Sequence, residues 1–226
     1  MSNFSVAIDG PAGAGKSSIA KAAARALGFV YVDTGAIYRT VGLAACRRGY
    51  APNDSEKIAA MLSELEITMG YAEGTQRMYL NGEDVSDLIR TPEISTYASN
   101  VAAMPEVRAY LLEMQRRMAR EYDVIMDGRD IGTVVLPNAD LKIFLTASAH
   151  ERARRRWLQL QAQGSADTFE MVLDEVVNRD KRDMERETAP LKQAEDAVLL
   201  DTSSMTEQES LQAVIDMISA GKAGKA

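Results

Sequence analysis

At 226 residues the chain is sized for one domain, residues 1–226, with room for small insertions and a core that needs no covalent staple. Its single cysteine, Cys46, and single histidine, His150, exclude disulfides and Cys/His zinc sites, and a net charge of −7 argues against a general nucleic-acid binder. With no apolar leader and no long apolar span, a soluble cytoplasmic chain without a membrane partner is expected, and a monomer.

Phe4-Ser5-Val6-Ala7-Ile8-Asp9 reads as a short strand buried in a parallel sheet. It leads into Gly10-Pro11-Ala12-Gly13-Ala14-Gly15-Lys16-Ser17-Ser18, which satisfies G-x-x-x-x-G-K-[ST], and then into an Ala-, Lys- and Arg-rich stretch, Ile19–Leu27, that favours a helix stopped by Gly28. In this strand–loop–helix setting the glycines let successive N–H groups converge on an anion, and the helix N-terminus adds partial positive charge. Lys16 can reach β- and γ-phosphates and the Ser17 hydroxyl can ligate Mg²⁺. An ordinary turn needs one or two glycines, not three followed by Lys-Ser, so the motif implies a nucleoside triphosphate site.

Phe29–Val32 reads as a second strand ending at Asp33-Thr34-Gly35, followed by helical spacing over Ile37–Arg48 and a helix capped by Asp54 that runs to about Leu65. The pattern then changes. Ile67–Tyr71 and Gln76–Leu80 alternate like half-buried strands, and Asn81-Gly82 is a hairpin signal leading into Glu83-Asp84-Val85, so residues 66–90 are expected to form a small antiparallel insert. Helical patterning resumes from about Thr91 to Glu121, with a second segment starting at Pro105. Asp123–Asp127, Leu141–Leu145 and Ala197–Asp201 read as three further strands. Two helices, about 148–163 and 167–187, precede the last strand, and a helix over 206–219 is followed by a tail, 220–226, expected to be disordered.

Alternating strands and helices with the phosphate loop after the first strand predict an α/β fold: a P-loop NTPase-type five-stranded parallel sheet covered by helices on both faces. Ligands in such sheets bind at the carboxyl ends of the strands, where Asp33, Asp127 and Gly128-Arg129-Asp130 fall. The same edge is rich in arginine. Arg39 follows the second strand and Arg129 the third, Arg108 lies in the middle helical segment, and Arg152, Arg154, Arg155 and Arg156 open the helix after the fourth. Arg179, Arg182 and Arg186 share one helical face with Asp183 beside them. Taken alone, the last two groups also fit a solvated face laced with ion pairs. Beside a phosphate loop they fit a helical lid over residues 148–187. Unit charges about 4 Å apart interact by about 1 kcal/mol in water and about 4 kcal/mol at an effective dielectric of 20, so closure strengthens each arginine contact and excludes water.

With these motifs in order, the chain resembles the nucleoside monophosphate kinases, and among them the bacterial cytidylate kinases. The residues that carry the resemblance are Ile8–Ser18, Asp33-Thr34-Gly35-Ala36-Ile37-Tyr38-Arg39, Asp127-Gly128-Arg129-Asp130-Ile131-Gly132-Thr133-Val134-Val135 and Arg179-Asp180-Lys181-Arg182-Asp183-Met184-Glu185-Arg186. Ala189-Pro190-Leu191 and Leu200-Asp201-Thr202-Ser203 also fit, and the likeness runs from about residue 4 to 218. The resemblance implies that the antiparallel insert is a subdomain for the monophosphate substrate. It implies ATP held by residues 10–18 and Arg155. It assigns the acceptor phosphate to Thr34, Arg39 and Arg129, the cytosine edge to Ser99, Arg108 and Asp130, and the sugar and phosphates to Arg179, Asp183 and Arg186. Lys16, Arg129, Arg179 and Arg186 are the implied catalytic cations, and Ser17 with Asp33 the implied Mg²⁺ contacts. Thr34 stands where many relatives have Ser, which bears on ribo- against deoxyribo-substrates.

Chemistry supports the pyrimidine assignment: cytosine offers an N4 amino donor beside acceptors, which suits a carboxylate and a guanidinium, Asp130 and Arg108. The reaction expected is transfer of the γ-phosphoryl group of ATP to CMP or dCMP. Two alternatives stay open on the sequence: a kinase of another small acceptor (UMP, AMP or shikimate) and a nucleotide-dependent switch. An Asn-Lys-x-Asp guanine motif is absent, which counts against a GTPase.

Overall fold

The computed structural model describes residues 3–72 and 74–225. Five parallel strands form the main sheet: β1 (Ser5–Asp9), β2 (Val30–Asp33), β6 (Val124–Gly128), β7 (Leu141–Thr146) and β8 (Val198–Asp201), in the order β2-β6-β1-β7-β8. Alternation along each strand sends side chains to opposite faces. Ala7, Val32, Val124 and Met126 join one core beneath α2 (Thr34–Arg47) and α5 (Pro105–Glu121). Val6, Ile8, Ile125, Ile143 and Leu145 join the other, beneath α1 (Lys16–Leu27) and α8 (Glu207–Lys225). Fully burying such a side chain contributes about 1.5–3 kcal/mol, so the central strands read as continuous apolar runs.

A separate three-stranded antiparallel sheet, β3 (Ile67–Ala72), β4 (Thr75–Leu80) and β5 (Glu83–Asp84), occupies the predicted interruption. Asn81 and Gly82 both take positive φ, 50° and 82°, which is the tight turn that Asn-Gly signals. Before it lies α3 (Ser55–Met61), capped by Asp54, and after it α4 (Pro92–Val101), capped by Thr91 with proline in its first turn. Helices α6 (Ala149–Ala162) and α7 (Phe169–Glu185) form a hairpin with a small core of its own around Ala153, Val172 and Val176, edged by Trp157 and Phe169.

Two expectations are corrected. Helix α2 starts at Thr34 rather than Ile37, because the Asp33 carboxylate accepts the Ala36 N–H at 2.8 Å and caps the helix at the strand end itself. The segment expected to be a disordered tail is instead the last turns of α8, which extend to Lys225. Lys222 there pairs with Asp123 at 2.6 Å and Lys225 with Asp140 at 2.6 Å, and their charges sit over the rings of Phe29 and Phe4. Ala226 lies outside the described residues. No described helix is long and apolar enough to cross a membrane.

Candidate active site

The phosphate loop joins β1 to α1. Gly10 lies so close to β7 that a Cβ on it would stand 1.9 Å from the Leu145 carbonyl oxygen, and its φ of +148° is one that other residues rarely adopt. This close approach sets the loop's path over the sheet end. Lys16, only 5 % exposed, donates from Nζ to the Pro11 carbonyl at 2.7 Å. Burial, reinforced by the Arg129 guanidinium, holds its amine well below the usual lysine range, against the pull of Asp127 and Asp9.

Around this loop the structure opens a cleft of about 370 Å³ at the carboxyl ends of β1, β2 and β6. It brings together Ala12, Gly13, Gly15, Lys16, Ser17 and Ser18 from the loop, Asp33, Thr34 and Arg39 from the end of β2 and α2, and Ser99 and Arg108 from α4 and α5. Arg129 and Asp130 enter from β6, and Arg155, Arg179, Asp183 and Arg186 from the α6–α7 side. Of the residues singled out in the sequence, Gly10, Pro11 and Ala14 of the loop do not line it, and neither do Arg152, Arg154 and Arg182.

The guanidinium groups are held by carboxylates. Arg129 Nε donates to Asp183 at 2.8 Å, and although burial alone would raise Asp183, Arg129 with Arg179 and Arg186 keeps its carboxyl below the usual range. Asp130 takes Arg108 on one oxygen and Arg186, at 3.4 Å, on the other. Arg186 Nε also donates to the Ala189 carbonyl at 2.7 Å. Arg39 pairs with Asp33 at 2.8 Å. Two guanidinium nitrogens in this wall, Nε of Arg39 and Nε of Arg179, are buried with no partner. A buried donor without an acceptor is costly, and both belong to the wall that faces the phosphate loop.

These are the sequence features of one family. A family model for cytidylate kinase matches residues 6–220. The chain belongs to the cytidylate kinase family. The cytidylate kinase of Caldicellulosiruptor bescii is 50 % identical over 217 residues, covering 96 % of both chains. That of an Exiguobacterium species is 48 % identical over 221 residues, covering 98 % of this chain and 99 % of its own. Among solved structures, an uncharacterized protein from Eubacterium ventriosum aligns with a TM-score of 0.54 over 96 % of this chain and 99 % of that one, at 10 % identity, a likeness of fold alone.

In this cytidylate kinase family member the structure also gives contacts to residues that the sequence marked only by position or charge, with no role assigned. Ser17 Oγ donates to Asp127 Oδ2 at 2.6 Å, and Tyr31 donates to Asp127 Oδ1 at 2.8 Å. Asp33, expected beside the metal, has its oxygens occupied by Ala36 N, Arg39 and, at 3.1 Å, Arg90. Burial, with the Asp33 charge adding, pushes the Asp127 carboxyl up, against Lys16 and the bonds from Ser17 and Tyr31. Asp127 was marked by its strand-end position and its place in a motif, but its contact with Ser17 depends on the strand order. Arg152, 4 % exposed and noted in the sequence only as one of a cluster, donates to the Ala12 carbonyl at 2.9 Å and grips Asp180 with two nitrogens at 3.0 and 2.5 Å, so the loop is clamped to α7. Arg155 is held by Glu151 at 2.9 Å and the Thr202 carbonyl at 2.7 Å, which sets it at the end of β8.

Proposed function

We propose that the chain transfers the γ-phosphoryl group of ATP to CMP or dCMP, giving ADP and the nucleoside diphosphate. The observation that carries this reading is the shared cleft: a phosphate loop with a buried lysine on one side, and on the other Arg39, Arg129, Arg179 and Arg186, two of them with unpartnered buried nitrogens. Facing anion pockets suit a reaction that needs positioning and charge stabilisation more than covalent help.

In the proposed cycle the loop N–H groups and Lys16 hold the donor phosphates, while Arg155 braces the donor end. Thr34, Arg39 and Arg129 hold the acceptor phosphate, and Arg179 and Arg186 approach as α6 and α7 close. An acceptor phosphate oxygen then attacks the γ-phosphorus in line. That oxygen is already anionic, so no general base is required. Ser99, Arg108 and Asp130 read the base, with Asp130 accepting from the cytosine N4 amino group and Asp183 facing the sugar. Uracil reverses the donor pattern there and leaves buried groups unpaired, at a cost of about 1–3 kcal/mol each.

The donor set of Ser17 and Asp127, a hydroxyl and a carboxylate 2.6 Å apart, consists of the hard oxygens that suit Mg²⁺. Bound there with ATP, the ion would neutralise charge on the β- and γ-phosphates. We assign Ser17 and Asp127 to it, with Asp33 holding the arginines next to it. The reading extends to a monomer working in the cytoplasm, which light scattering and cell fractionation would check.

A panel of CMP, dCMP, UMP, AMP and shikimate against ATP and GTP, followed by coupled ADP detection, tests the assignment. CMP or dCMP is expected to be turned over fastest. Faster turnover of AMP would point to another acceptor, and triphosphate binding without CMP binding in calorimetry would point to a switch.

A further inference from the structure

Strand β2 is the edge of the main sheet and, among the described strands, pairs with β6 alone. In a parallel strand the N–H and C=O of one residue point to the same side, so alternate residues face the neighbour and the open edge. Val30 N–H bonds toward β6, at the Asp123 carbonyl, which turns the peptide groups of Tyr31 and Asp33 outward. The antiparallel insert meets this edge with side chains. Tyr71 of β3 donates its hydroxyl to the Tyr31 carbonyl at 2.9 Å. Gln76 of β4, 8 % exposed, accepts the Asp33 N–H on Oε1 at 2.7 Å and donates from Nε2 to the Asp33 carbonyl at 3.3 Å. A single side-chain amide thus stands where a neighbouring strand's peptide would.

Asp33 is the wrong residue to leave loose. Its carboxylate caps α2 through Ala36 N and holds both Arg39 and Arg90. The next residue, Thr34, donates its hydroxyl to the Asp127 carbonyl at 2.7 Å. A tilt at Asp33 would therefore move Arg39 and Thr34 together, while the phosphate loop, two strands away, would stay in place.

We propose that Gln76 is a positioning residue for the acceptor side of the reaction, acting through Asp33 on Arg39 and making the insert part of the acceptor site without lining it. The proposal rests on the kinase reading of the cleft, and its readout separates the two. Steady-state kinetics of the wild-type chain first establish the acceptor; whichever nucleotide is turned over, the split between acceptor and donor constants is then measured on it. Gln76→Leu keeps the bulk and removes both bonds. It is expected to raise KM for CMP about tenfold while KM for ATP and kcat move less than twofold. Gln76→Glu, closer in shape and with only acceptors to offer the Asp33 carbonyl, is expected to shift KM the same way and serves if the leucine variant fails to fold. In an Arg39→Ala background either substitution should add clearly less than its tenfold to KM for the acceptor, because of the two groups that move with Asp33 only Thr34 remains. Parallel rises in KM for both nucleotides, no change in KM for the acceptor, or full additivity with Arg39→Ala would overturn the assignment.

Discussion

Ser17 and Asp127, 110 residues apart in the chain, meet at the floor of the cleft, where the serine hydroxyl donates to the carboxylate at 2.6 Å. The meeting follows from strand order: β6 inserts between β1 and β2, so the end of β6 lies directly beside the loop that leaves β1. Asp127→Asn keeps the shape and one acceptor but removes the charge. Turnover is expected to fall about 10²–10³-fold, the scale on which single charge-stabilising groups act, with partial recovery as Mg²⁺ is raised. Stability should change little, because the amide oxygen keeps one hydroxyl as donor and the amide nitrogen can donate to the other hydroxyl's oxygen. Undiminished turnover at every Mg²⁺ concentration would remove Asp127 from the metal assignment.

Lys16 is buried, and its amine is held below the usual range chiefly by that burial. Lys16→Ala removes a cation that the fold accommodates against its hydration, so the melting temperature is expected to stay or rise. Activity should drop by about 10³-fold or more, since on the proposed reading the donor phosphates lose the ammonium assigned to them. Calorimetric melting and initial rates on the same sample separate the two effects; near-normal activity would make the loop an ornament.

Much of this was legible in the sequence because local signals agreed with the global fold. Gly10–Ser18 sits between an apolar run and a helix former, and Asn81-Gly82 turns the insert as its letters indicate. The reach of α8 was not legible: its last turns hold no periodic apolar face and are fixed by Lys222 and Lys225 reaching acids far away in the chain. The roles of Asp127 and Gln76 were hidden for a similar reason. Each depends on which strands are neighbours, and a single sequence states strand order only through topology. Asp33 was noticed for its position at a strand end; its cap on Ala36 and its hold on Arg39 are local, but its hold on Arg90 appears only once the insert packs against the sheet edge.

Asp130 and Arg108 form a buried pair, so removing the acid has two consequences. Asp130→Ala strands a guanidinium and is expected to cost about 3–5 kcal/mol of stability, read from urea midpoints. Asp130→Asn keeps the volume and offers an amide that can donate as well as accept. The ratio of kcat/KM for CMP over UMP should then fall about tenfold or more, because the amide can serve the uracil carbonyl that a carboxylate repels. KM for ATP should change little. An unaltered CMP to UMP ratio would exclude Asp130 from base reading.

Asp9 ends β1 and accepts the N–H groups of Ile131 at 2.8 Å and Gly132 at 2.7 Å, bracing the turn that carries Arg129 and Asp130. Burial outweighs those bonds and raises its carboxyl from 3.8 to about 6, with the Asp130 charge adding and Lys16 opposing. Between those values the native chain holds more protons than the unfolded one, so this group's contribution to stability is complete below about pH 4 and declines as pH rises to 6. At about 1.4 kcal/mol per tenfold the decline totals about 3 kcal/mol, roughly two-thirds of it between pH 4.5 and 7.5. Asp9→Asn has no such titration. Its amide offers one full acceptor to the two N–H groups, as the protonated carboxyl does, and its own stability carries no pH dependence from this site. Measured by urea unfolding, the variant should therefore gain about 2 kcal/mol on the wild type between pH 4.5 and pH 7.5. A difference between the two that does not change with pH would mean that Asp9 is ionised throughout, with the two N–H bonds outweighing its burial.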